Sequence, residues 1–236
     1  MPSYKAHSFF AAILALIYIV NPIYIVLAII GANLPDFDHK IREKNVYKIV
    51  GCGMVIFIIL TLLNLPFYLG LLIVSIAIIF YFSNHRGFTH SLIGIAILSI
   101  LTFATFILGY YLLNSFEFFT PNAKSIFSIA IMLILLTLLF INKNLTIPIL
   151  TILLSGLFLF PIFKINLLTA FLFILMGLLS HIALDSFTPA GIKLLSPYSS
   201  RIFKKRFGIL VTVVIVIIAI PFILNFINII NLPFNL

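Results

Sequence analysis

The chain of 236 residues is 64% hydrophobic and only 8% charged, with a mean hydropathy of +1.33. Soluble domains average about half apolar and about a quarter charged residues, so this composition excludes a soluble globular protein. The single cysteine, Cys52, excludes an intramolecular disulfide and a metal site built from cysteines. The net charge of +9 does not require a nucleic-acid partner, because Lys and Arg in loops also orient membrane proteins.

Apolar segments follow one another along the whole chain, separated by Pro, Asn and short polar stretches that interrupt helices. This pattern predicts an all-α, polytopic helical membrane protein with about seven to nine membrane segments in a single domain, residues 1–236. The predicted segments are 8–20, 23–33, 46–63, 66–82, 91–113, 125–141, 146–163, 167–184 and 207–231.

The first two segments are shorter than the roughly 20 residues that cross a bilayer core. They form either one span kinked at Asn21-Pro22 or a short re-entrant hairpin that enters and leaves on the same side. We favour the hairpin. With it, every histidine and every aspartate of the chain falls on one membrane face, whereas the kinked span puts His7 on the opposite face.

The distribution of Lys and Arg indicates which side of the membrane this face lies on. Twelve of the 14 Lys and Arg residues fall on the side of the histidines, and only Lys124 and Lys164 fall on the other side. Loops rich in Lys and Arg stay in the cytoplasm. The sequence therefore predicts a multi-pass protein of the cell membrane whose polar face is turned toward the cytoplasm, in contact with membrane lipids.

The stretch "HIALD" places His181 and Asp185 at the end of an apolar helix. At a spacing of i, i+4 the two side chains share one helix face, about 6 Å apart, which suits a metal ion. The alternative is a helix end at the membrane interface that merely tolerates polar residues. Because ionisable groups at membrane depth are costly and usually functional, we expect these residues to be metal ligands.

The stretch "GANLPDFDHK" places Asp36 and Asp38 directly after a proline that ends a helix. An extended or turn backbone lets both carboxylates enter one pocket. The alternative is a loop in which they pair with nearby Lys and Arg. With only five acidic residues in the chain, two beside Pro35 favour metal ligation, and we expect His39 to face water.

The stretch "SNHRGFTHSL" brings His85, Arg86 and His90 together between two apolar segments. The two histidines can meet if Gly87 turns the chain and the next helix opens at His90, with Thr89 as its cap and Ser91 in the first turn. The guanidinium of Arg86 suits phosphate or carboxylate, although it also fits the general excess of positive charge on this face.

These residues form a His and Asp set without sulfur, which favours Zn²⁺, with Mn²⁺ or Fe²⁺ as alternatives, over the all-oxygen sites of Mg²⁺ and Ca²⁺. The set exceeds the needs of one tetrahedral ion, so more than one ion is allowed. A metal of this kind activates water for hydrolysis, often at phosphorus. The predicted metal ligands are His7, Asp36, Asp38, His85, His90, His181 and Asp185.

The sequence therefore predicts a metal-dependent hydrolase that cleaves a phosphoester, with a small-molecule or lipid-type substrate and no nucleic-acid partner. Its catalytic residues would be Arg86, which binds phosphate, and Asp36 or Asp38, which takes a proton from water; Thr89 and Thr188 would orient these groups. The alternative function is a transporter for a divalent metal ion or protons that uses the same cluster as a transit site.

The order of these motifs resembles that of the YdjM-like family of integral-membrane proteins. A histidine before the first apolar run is followed by G-A-x-L-P-D-x-D-H, H-R-x-x-T-H-S and H-x-x-x-D-x-x-T-P-x-G. The resemblance covers most of the chain, with matches from His7 to Gly191. Members of the family are described as membrane-bound metal-dependent hydrolases, so the resemblance implies a metal site formed by the histidines and aspartates of these motifs.

Overall fold

A computed structural model of the chain describes residues 3–38, 43–117, 120–159, 165–214 and 217. These residues form an all-α structure, as predicted, with two short 3₁₀ turns at Pro35–Asp38 and Phe88–His90. The helices are α1 (Tyr4–Tyr18), α2 (Pro22–Asn33), α3 (Glu43–Leu62), α4 (Tyr68–Phe82), α5 (Leu92–Asn114), α6 (Pro121–Phe140), α7 (Lys143–Leu159) and α8 (Leu167–Ser186), followed by a helical stretch at 205–214.

Four of the described helices are long and apolar enough to cross a membrane, and they lie within α3, α5, α6 and α8. Helices α1, α4 and α7 are apolar but shorter. A helix rises about 1.5 Å per residue, so the 15 residues of α1 span only about 22 Å. The prediction of a polytopic helical membrane protein is therefore confirmed for its helical character and its candidate spans.

Most predicted boundaries agree with the helices to within a few residues. The segment predicted at 146–163 begins earlier, because the helix α7 starts at Lys143 and accommodates Pro148 in its interior. Residues 160–163 of that segment, and most of the last predicted segment from 215 onward, lie outside the described residues.

The first two helices form an antiparallel hairpin, as favoured from the sequence. Asn21 ends the connection by capping α2, since its Oδ1 accepts a hydrogen bond of 2.9 Å from the backbone N–H of Ile23. At the other end, Asn33 Nδ2 donates a 2.8 Å hydrogen bond to Ser8 Oγ, which a single kinked span would place far away. All residues of α2 are buried in protein, which is the condition for short re-entrant backbone in a membrane.

The helix α8 packs against α2 at two glycines. A Cβ atom added to Gly31 would collide with the carbonyl oxygen of Ile174, and one added to Gly177 would collide with that of Ala28. Small residues at such positions allow two helix backbones to approach closely. The contact places the last turn of α8 beside the end of α2.

Gly177→Ala is expected to lower the melting temperature of the purified protein, because the new methyl group pushes α8 away from α2. Overpacking of this kind costs about 1–3 kcal/mol. Gly51→Ala is the matched control, since a Cβ at Gly51 meets no atom of the described residues within 4 Å and Ala is the better helix former. The control should melt at or above the wild-type temperature, and equal melting of the two variants would contradict the close contact.

Candidate metal centre

Four separate parts of the chain bring the polar residues to one end of the helix bundle. They are the first turn of α1, the 3₁₀ turn after α2, the loop between α4 and α5, and the last turn of α8. Local caps fix these positions: Ser3 Oγ accepts from the N–H of Ala6 at the start of α1, and Ser91 Oγ accepts from the N–H of Gly94 at the start of α5. The cluster is therefore attached to rigid helix ends.

Two sets of three donor residues lie close enough to hold a metal ion. In each set, the donor atoms are within 4.8 Å of one another. All members are buried except Asp36, whose side chain is 15% exposed. The sets are His7, His181 and Asp185, and Asp36, His90 and His181.

The hydrogen bonds of His181 fix its tautomer. Its Nδ1 lies 2.7 Å from the carbonyl oxygen of Ala32, and a carbonyl oxygen can only accept, so Nδ1 carries the proton. In the neutral ring, the lone pair is then on Nε2, which faces the cluster. Metal-binding histidines commonly have this arrangement, with the second ring nitrogen donating to a carbonyl or carboxylate.

His90 presents its own Nε2 to that of His181, at 3.2 Å. Its Nδ1 lies 3.2 Å from Asp38 Oδ2, which again leaves Nε2 as the inward-facing atom. Two nitrogen ligands of one tetrahedral zinc ion lie about 3.3 Å apart when each bond is 2.0–2.1 Å long. The spacing of the two Nε2 atoms therefore matches that of two ligands of one ion.

The carboxylate of Asp185 completes this geometry. Its Oδ2 lies 3.4 Å from His90 Nε2 and 3.8 Å from His181 Nε2, yet among the described residues this buried oxygen has no hydrogen-bond partner. His7 stacks on His181 with ring centroids 3.8 Å apart, and its Nε2 lies 3.5 Å from Asp185 Oδ1. A buried carboxylate oxygen without a hydrogen bond, surrounded by nitrogen donors, fits a cation among them.

The electrostatics of His90 agree with this fit. Burial lowers the pKa of His90, but the carboxylates of Asp185 and Asp38 outweigh burial and raise this pKa to about 9. The surrounding negative charge therefore favours a positive charge at His90, whether it is a proton or a bound cation.

Asp38, which the sequence also predicts as a metal ligand, forms hydrogen bonds with the loop between α4 and α5. Its Oδ1 accepts from His85 Nδ1 at 2.9 Å, and its Oδ2 accepts from the Arg86 N–H at 3.0 Å and from the Thr89 hydroxyl. Burial raises the pKa of Asp38, but the hydrogen bonds from His85 and His90 dominate and hold this pKa well below its usual range. Asp38 is thus an ionised acceptor that organises the loop between α4 and α5.

His85 shares this outer position. Its side chain is 29% exposed and is oriented by Asp38, and neither His85 nor Asp38 belongs to the two donor sets found among the described residues. The sequence did not separate these two from the inner residues, because spacing shows which residues share a loop but not which way each side chain turns.

The loop also differs from the prediction in its turn. The left-handed residue is Arg86, with φ of 57°, and Gly87 has a negative φ. Thr89 does not cap α5, because its hydroxyl donates to Asp38, and Ser91 is the cap instead. A non-glycine residue in the left-handed region is costly and is often found at functional sites.

Arg86 is held beside the cluster by its Nη1, which donates to Thr188 Oγ1 at 3.0 Å and to the Gly191 carbonyl oxygen at 3.3 Å. Thr188 in turn donates to the carbonyl oxygen of Asp185 at 2.7 Å. The Nε of Arg86 lies 3.5 Å from Asp185 Oδ2, and its buried Nη2 has no hydrogen-bond partner in the part of the chain that the structure describes. One side of the guanidinium thus remains able to bind an anionic oxygen.

Sequence reasoning missed two parts of the centre. The carbonyl of Ala32 orients His181, and Asn33 ties α2 to Ser8. The role of Ala32 depends on its backbone carbonyl and cannot be predicted from its side chain. A polar Asn33 inside an apolar run, by contrast, could have indicated a buried hydrogen bond. His39 lies outside the described residues.

Comparison with known protein families identifies one family that covers almost the whole chain. The sequence profile of the family described as YdjM inner membrane protein matches residues 3–232. The chain belongs to this family. The resemblance seen in its motifs is confirmed, and the YdjM family is one of inner membrane proteins. No curated protein and no solved structure matches this family member.

In this YdjM family member, Asp38→Asn is expected to weaken metal binding about 10–100-fold, as loss of a partner that orients a metal ligand typically does. The variant preserves the shape of the side chain but removes the charge that holds His90 in place. Metal titration against a competing chelator measures the effect.

Glu117→Gln is the control, because it removes an exposed carboxylate that lies between α5 and α6. It should bind metal as the wild type does. An unchanged metal affinity in Asp38→Asn would contradict the positioning role of Asp38.

Proposed function

We propose that this protein is a membrane-embedded, metal-dependent hydrolase that cleaves a phosphoester. The observation that carries the proposal is the meeting of His90 Nε2, His181 Nε2 and Asp185 Oδ2 within 3.8 Å, with no hydrogen-bond partner for Asp185 Oδ2 among the described residues. Burying two imidazoles and a carboxylate in this way is costly unless a bound cation or a reaction requires it.

The donor geometry supports a single ion at His181. In its contacts with His90, Asp36 and Asp185, the inward-facing atom of His181 is always Nε2, because Nδ1 is engaged by Ala32. The single lone pair on His181 Nε2 can bind only one ion. The two donor sets, which share His181, are therefore two alternative sets of ligands for the same ion. Imidazole and carboxylate donors without sulfur suit Zn²⁺, with Mn²⁺ and Fe²⁺ as alternatives.

A divalent cation supplies Lewis acidity and activates water for hydrolysis. Among the carboxylates, Asp36 is the better candidate to accept the proton from the attacking water. It lies 3.7 Å from His181 Nε2 at the edge of the cluster and is partly exposed. Asp38 is less suitable, because both of its oxygens are occupied and its pKa is held low.

Arg86 supports phosphate as the group that is cleaved. Its guanidinium is fixed by Thr188 and Gly191, and no described residue forms a hydrogen bond with its Nη2. Arg binds phosphate through such a planar array of donors. The left-handed backbone at Arg86 directs the side chain toward Asp185 and away from solvent.

A cavity of about 500 Å³ beside the cluster supports a lipid-type substrate. His85, Asp38, Ser83 and Asn84 form its polar side. Most of its other lining residues are aromatic, and they include Tyr47, Tyr81 and Phe82 at the start of α3 and the end of α4. These three rings are 56–78% exposed. Aromatic rings at the ends of apolar helices lie at the headgroup level of a bilayer, where an amphiphilic substrate would enter.

The position of the cluster favours a hydrolase over a transporter. A transporter places its ligands near the middle of the membrane, reached from both sides, whereas this cluster lies at the ends of α2 and α8 and the starts of α1 and α5. The excess of Lys and Arg at the same end supports a site that faces the cytoplasm.

Hydrolysis of lipid phosphomonoesters and phosphodiesters by the full-length protein in mixed micelles tests this proposal. Turnover should require added Zn²⁺ or Mn²⁺ and should be abolished in His181→Ala. Arg86→Lys should lower turnover about 10–100-fold, the equivalent of one charged hydrogen bond of about 1.5–3 kcal/mol.

Lys124→Ala, at the start of α6 on the opposite end of the bundle, should leave turnover unchanged. A long-chain substrate should be hydrolysed faster than a water-soluble aryl phosphate. No turnover of any phosphoester in the metal-loaded protein, or equal turnover in His181→Ala, would contradict the proposal.

A further inference from the structure

A second cavity of about 500 Å³ lies at the same end of the bundle as the metal centre, between the start of α3, the end of α6 and the start of α7. Its polar lining consists of Asn45, Lys48, Asn142, Lys143 and Thr146. Neither the metal centre nor the proposed hydrolysis uses these five residues. The cavity is therefore a separate candidate for ligand binding.

The charge of the cavity selects an anionic ligand. Two lysines line it, and no carboxylate is among its lining residues in the described part of the chain. Lys binds phosphate as a flexible point charge. The first turn of α7, where Asn142 Oδ1 accepts from the N–H of Asn144, adds the positive end of a helix dipole.

The apolar lining selects an amphiphile rather than a free anion. Leu138 and Ile147 line the cavity and are 59% and 75% exposed, so the apolar wall continues onto the outer surface of α6 and α7. Helices α3 and α6 both contain candidate membrane spans. The two lysines then lie where the apolar helices end, at headgroup depth.

We propose that this cavity binds the phosphate headgroup of an anionic phospholipid, with Lys48 and Lys143 on the phosphate and an acyl chain along Leu138 and Ile147. Basic pockets between membrane helices on the cytoplasmic side are characteristic binding sites for such headgroups.

The site adjoins the metal centre through Phe37. This ring lines both cavities and lies between Asp36 and Asp38 in the 3₁₀ turn. It packs against Phe80 with ring centroids 5.2 Å apart and against the edge of Phe140 at 6.1 Å. A lipid in the cavity therefore contacts the turn that carries the two carboxylates, and its binding stabilises the folded protein.

The test compares phosphatidylglycerol with phosphatidylcholine of the same acyl chains, each added to the detergent-purified full-length protein. Binding is followed by native mass spectrometry, and stability by the melting temperature. The wild type should bind phosphatidylglycerol at least about tenfold more tightly than phosphatidylcholine, which corresponds to about 1.4 kcal/mol, and should melt several degrees higher with it.

Lys48→Ala combined with Lys143→Ala should abolish this preference. The control combines Lys193→Ala with Lys205→Ala, which removes the same charge from exposed positions away from the cavity. The control should retain the preference for phosphatidylglycerol. If the double alanine variant does not fold, Lys48→Gln combined with Lys143→Gln replaces it in the same test.

Three results would overturn the proposal. They are no preference for phosphatidylglycerol in the wild type, an undiminished preference in the lysine variants, or equal stabilisation by inorganic phosphate, which would show a site for a free anion instead of a lipid.

Discussion

The close contact between α2 and α8 determines the rest of the centre. Gly31 and Gly177 let the two backbones meet, and this proximity brings His181 Nδ1 to the carbonyl oxygen of Ala32. That hydrogen bond fixes the tautomer of His181 and turns its Nε2 toward the other donors. A larger residue at either glycine would therefore disturb both helix packing and the orientation of His181.

The centre has an inner and an outer layer with different physical roles. His181, His90 and Asp185 form the inner layer, where atoms able to bind a cation face one another, and Asp185 Oδ2 has no hydrogen-bond partner among the described residues. Asp38 forms the outer layer and is fully hydrogen-bonded to the loop that carries His90. The carboxylates of Asp185 and Asp38 favour a positive charge at His90, which offsets the cost of burying that charge.

The amino-acid sequence predicts the helical membrane architecture because long apolar runs indicate segments surrounded by lipid, where the backbone must form helices to satisfy its hydrogen bonds. It also predicts the convergence of His7, Asp36, His90, His181 and Asp185, because counting crossings brings distant segments to one end. It does not distinguish the residues of the two donor sets from their neighbours, since Asp38 differs from Asp36 in the direction of its side chain. Nor does it predict the backbone carbonyl that orients His181 or the left-handed conformation of Arg86, which depend on tertiary packing.

Elemental analysis of the detergent-purified, metal-reconstituted protein tests the central claim most directly, with the wild type beside His181→Ala, Asp36→Ala and the control Lys124→Ala. The account predicts about one equivalent of zinc, manganese or iron in the wild type and the control, as expected for ligands contributed by segments far apart in sequence. His181→Ala removes the residue that both donor sets share and should lose the ion, whereas Asp36→Ala removes a member of one set and should bind the ion more weakly. A wild type that stays metal-free after reconstitution, or a His181→Ala variant that retains the ion, would contradict the account.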